Sequence, residues 1–137
     1  MDLIEEVGHH YGLMKIARTV PASRRPAGLT VAQRAERRLK ALLSGLGYRE
    51  ALHLNFVSSA KCDPSQGAIV KVANPLSVEQ DALRTSLVMP GLLEALERNQ
   101  RHGARDLLFF ETGRVFSPSP EGPVETPRLA LLASGST

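Results

Sequence analysis

From Ala73 to Phe116 the sequence sets out a fixed succession of local structures that restricts the fold more than any figure of composition. Ser77 and Gln80 have the spacing of a capping box, so a turn of helix is expected after Asn74-Pro75. Leu83 to Leu87 then runs extended. Pro90 suits the first turn of a helix, where its missing amide costs nothing, and Leu92, Leu93 and Leu96 give that helix a buried face up to Gly103. Leu107 to Phe116 is a mostly apolar strand, broken or bulged near Gly113. Ser117 to Thr126, rich in Pro, Gly and Ser, is a hairpin loop that returns the chain into a strand at Arg128 to Leu132.

Upstream, Thr30-Val-Ala-Gln33 is a second capping box, worth about 1 kcal/mol through the threonine oxygen alone. The helix it starts carries an apolar stripe of Ala35, Leu39, Leu42, Leu43 and Leu46, with Arg34, Arg37, Arg38 and Lys40 on other faces, and Gly45 and Gly47 end it. Glu50 to Val57 alternates Leu52, Leu54 and Phe56 against Ala51, His53 and Asn55, the period of a half-buried strand with its leucines inward. Lys61 to Gly67 is a loop and Ile69 to Val72 a short strand. Before all of this, Leu3, Ile4, Val7 and Tyr11 have helical spacing and Gly12 is placed as a stop, while Thr19 to Leu29, with Pro21 and Pro26, reads as an extended linker. Strands joined by hairpin-type turns rather than repeated crossover helices predict an α+β fold, an antiparallel sheet with flanking helices on one side. The chain stops just after a strand, which predicts a truncated piece of a longer protein.

Its 137 residues are enough for a single core. No apolar run approaches the roughly 20 residues needed to cross a bilayer, and the acidic start Asp2-Leu-Ile-Glu-Glu6 is the opposite of a basic leader; the expectation is a soluble, intracellular chain. The lone Cys62, in a polar loop, reads as an ordinary reduced thiol. A net charge of +3 is distributed unevenly, with basic residues gathered between Arg18 and Arg49. That patch reads either as the solvated face of a helix or as a nucleic-acid contact running from Arg24 to Lys40.

Residues that could carry chemistry are few. Asp2, Glu5 and Glu6 fall within about one helical turn and could offer oxygens to a hard cation, although acids in a first turn are also what the helix dipole favours. The adjacent His9 and His10 point about 100° apart and cannot chelate one ion from one face. His53 and His102 read as solvated. Arg84 and Arg114 are the arginines embedded in apolar, strand-like sequence, where each could hold an anion bidentately or form a structural ion pair with Glu111. No glycine-rich phosphate loop or nucleophile, histidine and acid set stands out, so the residues argue against independent catalysis.

Taken in order, several short motifs resemble the beta subunit of bacterial phenylalanine-tRNA ligase. Asp2-Leu-Ile-Glu-Glu-Val7 with Tyr11-Gly12 is similar to the end of that family's magnesium-binding region. The helix from Gln33 to Tyr48, continued by Leu54-Asn-Phe-Val-Ser58, resembles the first class II synthetase motif. Asn74-Pro-Leu-Ser77, Leu83-Arg-Thr-Ser-Leu87 and Pro90-Gly-Leu-Leu93 resemble its strand-to-helix segment, and Phe110-Glu-Thr-Gly-Arg-Val-Phe116 a remnant of the second motif. The resemblance implies a class II aminoacyl-tRNA synthetase-like fold without the chemistry. It assigns residues 1–18 to the last helix of a magnesium-binding domain, 19–29 to a linker, and 30–137 to the first part of an inactive catalytic-like domain. It implies magnesium on Asp2, Glu5 and Glu6 with a fourth ligand upstream. A subunit interface is implied at Arg38, Leu39, Leu42, Leu43 and Leu46, and a degenerate motif at Arg84, Glu111 and Arg114. ATP would be used only by the alpha subunit. The implied partners are that subunit, a second beta subunit and tRNA(Phe), in the cytoplasm. The other expectation, from a different class, is an independent RNA-binding module using 24–40.

Overall fold

The computed structural model describes residues 2–20 and 28–135, with only the backbone of Asp2; the chain divides into two compact units, Met1–Thr30 and Val31–Thr137. The middle of the expected linker, with Arg24 and Arg25, lies outside the described residues. In the first unit helix α1, Asp2–Tyr11, ends at Gly12, whose amide still bonds the carbonyl of Gly8 (3.0 Å). Leu3, Ile4, Val7 and Tyr11 line one side of α1 and are all exposed.

The second unit begins with α2, Val31–Gly45, starting directly after Thr30 as its cap sequence predicts. It stops in a paired C-terminal motif, in which the Tyr48 amide bonds Leu43 O (3.0 Å) and the Gly47 amide bonds Ser44 O (3.0 Å). Gly47 sits at φ 90°, a left-handed conformation that costs glycine nothing. Beyond it come β1 (Arg49–Glu50), β2 (Phe56–Val57), β3 (Ala82–Leu83), α3 (Leu93–Arg101) and the two long strands β4 (Leu107–Ser117) and β5 (Val124–Ser134).

The main sheet has the order β1-β4-β5. It is mixed rather than antiparallel: β4 and β5 form an antiparallel hairpin, but β1 runs parallel to β4, Arg49 opposite Phe109 and Glu50 opposite Phe110. Parallel pairing needs a long crossover, and residues 51–106 supply it. The hairpin register runs without interruption from Leu107 opposite Ser134 to Ser117 opposite Val124, so the expected break at Gly113 does not occur. Gly113 is there for space. A Cβ at this position would lie on the Arg84 Nη2 atom and 3.0 Å from Leu87 Cδ2.

Successive residues of β4 point to opposite faces. On one face Leu107 and Phe109 pack with Leu92 and, around them, Ala51, Leu96, Ala130 and Leu132. On the other face Thr112 donates to Glu36 Oε1 of α2 (3.2 Å). The helices therefore cover both sides of the sheet, not one. The crossover departs from expectation in several places. Residues 51–55 form no strand of their own, and 69–72 reduce to a bridge of Lys71 with Ala82. Ser77 makes no side-chain cap, and the turn Val78–Gln80 closes through the Gln80 amide on Ser77 O (3.0 Å). A wide turn over Val88–Leu92, with a cis Met89-Pro90 bond, precedes α3, and Leu93 is left partly exposed while Leu92 and Ala95 are buried.

Candidate assembly surface and its buried anchor

Where β4 passes beneath the crossover it carries a carboxylate into the interior: Glu111 is 1% exposed. Arg84, 4% exposed and set just after β3, reaches it with Nη1 donating to Oε1 (2.5 Å). Arg84 Nε donates to the Arg114 carbonyl (2.8 Å), and its guanidinium occupies the space that Gly113 leaves open. His53 Nδ1 donates to the other oxygen, Oε2 (2.7 Å). Both carboxylate oxygens are thus engaged by protein donors, which is what a buried charge requires. The cluster joins three separate stretches of chain, around residues 53, 84 and 111. The cluster has the character of a structural ion pair, since Glu111 and Arg84 are both buried and turned to each other rather than to solvent.

Of the three residues assigned to a degenerate motif, the structure brings Arg84 and Glu111 together and sends Arg114 elsewhere. Arg114 is exposed and pairs with Glu125 across the hairpin (2.5 Å). The expectation that His53 is solvated is overturned, because its ring is mostly covered and bonded to Glu111. His102 is exposed as expected, its Nδ1 donating to Arg98 O (2.6 Å).

Anchoring His53 inward accompanies a reversal of the residues around it. Leu52, Leu54 and Phe56, expected inside, are 79%, 68% and 50% exposed, while Ala51 and His53 are the covered residues. Asn55 remains exposed, so the reversal stops short of it. The leucine stripe of α2 divides as well. Leu43, 5% exposed, belongs to the core of this chain and Leu39 is half-buried, whereas Leu42 and Leu46 are 59% and 63% exposed and Arg38 is also exposed. Lys40 is tied within the fold to Glu50 (2.7 Å) and Glu36 (3.2 Å), and the Glu50 bond holds its ammonium pKa above the usual lysine value.

Two smaller features tie the crossover down. Asp81 accepts from the hydroxyl and amide of Ser59, both at 2.7 Å, and these bonds hold its pKa below the ordinary carboxylate value. Cys62 is buried, with its Sγ on Ser58 O (3.7 Å), and burial pushes the thiol pKa up, so the sulfur is held in its unreactive form. On α1, Glu5 and Glu6 are exposed, and the side chain of Asp2 lies outside the described residues. Among the described residues no three His, Cys, Asp or Glu side chains gather as metal ligands, and no helix is long and apolar enough to cross a membrane.

Fold and site together define an α+β domain with a mixed sheet, in which buried Arg84 and Glu111 pair with each other while Leu42 and Leu46 on α2, and Leu52, Leu54 and Phe56 after β1, face solvent. The chain belongs to the family described as the phenylalanyl tRNA synthetase beta chain CLM domain, which matches residues 16–137. It is similar to the phenylalanine-tRNA ligase beta subunit of Streptomyces avermitilis, 44% identical over 128 residues that cover 88% of this chain and 15% of that protein. The beta subunit of a Bacillus cereus strain is 37% identical over 142 residues, covering 98% and 18%. That of Synechococcus sp. is 32% identical over 139 residues, covering 98% and 16%. The chain thus spans less than a fifth of the length of these relatives.

Proposed function

We propose that the chain is an architectural segment of a phenylalanine-tRNA ligase beta subunit, a non-catalytic part that supports assembly with an alpha subunit, which performs the ATP-dependent charging of tRNA(Phe). In this reading residues 30–137 are the first part of an inactive class II synthetase-like domain. Residues 1–18 are the last helix of a magnesium-binding domain and 19–29 the linker between them. The assembly is two alpha and two beta chains in the cytoplasm. The observation that carries it is the division of α2: Leu43 faces this chain's own sheet, and Leu42 and Leu46, beside Arg38 and half-buried Leu39, are left to solvent. Exposed leucines in such a row suit a partner's helices. Magnesium belongs to the proposal through Asp2, Glu5 and Glu6, of which Asp2 shares a helix face with each glutamate, together with a fourth ligand upstream. Bound there, the ion would crosslink carboxylates and hold the helix end in place.

The test is to mix the chain with the alpha subunit and follow association by size-exclusion chromatography with light scattering. A complex that forms with the natural chain and is lost in Leu42→Asp, with melting unchanged, is the expected result. A well-folded chain that forms no complex overturns the proposal.

A further inference from the structure

The face that β4 and β5 turn toward the crossover changes character along its length. At one end Leu107, Phe109, Ala130 and Leu132 meet Leu92 in the core. At the other end the same alternation brings up Val115 and Ser117 from β4 with Thr126 and Arg128 from β5, Val115 lying opposite Thr126 and Gly113 opposite Arg128. Because the space above Gly113 is filled by Arg84 and Leu87, Arg128 shares the side of the sheet that faces the crossover. There the crossover stands off the sheet and leaves a cavity of about 300 Å³ beneath Thr85 to Val88, with Gln66 also on its wall. The lining is mostly polar, and no Asp or Glu belongs to it among the described residues. Arg84 is matched by Glu111 and Arg114 by Glu125, whereas the guanidinium of Arg128 meets no hydrogen-bonding or ionic partner among the described residues. A layer of protein over a sheet needs apolar side chains beneath it, as the core end has; hydroxyls around one unmatched cation suit a polar solute instead.

We propose that this cavity binds a small molecule carrying one oxyanion group, a carboxylate or a phosphate, on Arg128. The planar guanidinium can meet two oxygens of such a group at once. Ser86 Oγ already accepts from the Val88 amide (3.0 Å), which leaves its proton to be donated, and Thr126 contributes a second hydroxyl. Leu87 and Val115 form the apolar part of the wall, against which the remainder of the molecule lies. The site is independent of the assembly role proposed above.

The test titrates the full chain with benzoate and with phenyl phosphate, which share an apolar body and differ in the anion, while amide resonances are followed by NMR. Saturable shifts at Ser86, Val115 and Thr126 are expected with at least one of them, and the tighter of the two tells whether the ligand is a carboxylate or a phosphate. Arg128→Gln should weaken binding about tenfold or more, since hydrogen bonds to a charged group are lost, and Thr126→Val by a few-fold. Arg128 is exposed, so its variant should melt as the natural chain does. Arg114→Gln, which alters the cation on the opposite face, should leave the affinity unchanged. The same titration of a full-length beta subunit should give the same affinities. No saturable shift with either probe overturns the proposal, as does an affinity that survives Arg128→Gln or falls equally in Arg114→Gln. Binding by this chain that disappears in the full-length subunit also overturns it, because another segment then fills the cavity.

Discussion

Replacing Arg84 by methionine should be among the most damaging single changes this chain can suffer. The substitution keeps most of the side-chain bulk above Gly113 but strips one oxygen of Glu111 of its ionic partner, at a position 1% exposed to water. The bond from Nε to the Arg114 carbonyl goes with it. Removing one member of a buried ion pair costs about 3–5 kcal/mol, mostly because the remaining charge stays buried. Against a total stability of about 5–15 kcal/mol for a domain, that is roughly a fifth or more of what keeps it folded. With a urea slope of about 2 kcal/mol/M, the midpoint of unfolding should fall by roughly 1.5–2.5 M. The decisive comparison is the double variant Arg84→Met with Glu111→Leu, which removes both charges and leaves His53 near the surface, where water can reach it. It should recover to within about 1 kcal/mol of the natural chain, since apolar replacement of a whole buried pair is often neutral. A loss below about 1 kcal/mol for Arg84→Met alone, or a double variant as unstable as the sum of its parts, would refute the account of the cluster.

Gly113→Ala places a methyl group where the Arg84 guanidinium lies, and unfolding by urea should register a loss of about 1–3 kcal/mol; a neutral result would mean that Arg84 does not fill that space. Because folding lowers the pKa of Asp81, its contribution is complete above the ordinary value of 3.8 and disappears as pH falls through the lower folded value. Asp81→Asn should therefore melt earlier than the natural chain at neutral pH but lose less on acidification from pH about 5 downward, and parallel pH curves would contradict the Ser59 bonds. Cys62, buried and with its thiol pKa raised, should resist a thiol-labelling disulfide reagent until urea unfolds the chain; rapid labelling of the folded chain would show the site to be open.

The parts of the fold legible in the sequence are those with local causes. Thr30 and Gly47 bracket α2, Gly103 closes the helical stretch after Pro90, and the Pro, Ser and Gly loop after Ser117 joins β4 to β5, each by chemistry confined to a few residues. What escaped depends on residues far apart in the chain. The parallel placement of β1 has no local signal, because two residues cannot announce the direction of their partner. Gly113 resembles a bulge when read alone, and its purpose appears only when Arg84 is seen lying across it. The same reason hid His53. Its bond to Glu111 spans 58 residues, and without it the leucine alternation of 52–56 points to the wrong face. The pairing of Arg84 or Arg114 with Glu111 could be framed from sequence as an alternative, but only the register of β4 with β5 directs Arg114 to Glu125 instead.

The parallel pairing of β1 also sets a timetable for biosynthesis. Arg49 finds its partner at Phe109, so after β1 leaves the ribosome about sixty further residues must be made, which at roughly 5–20 residues per second takes on the order of 3–12 s. Throughout that interval α2 has no sheet beneath Leu43, and His53 has no carboxylate to turn it inward. The nascent chain passes this time with Leu43, buried in the finished domain, still uncovered, and it is then that it most needs the attention of chaperones.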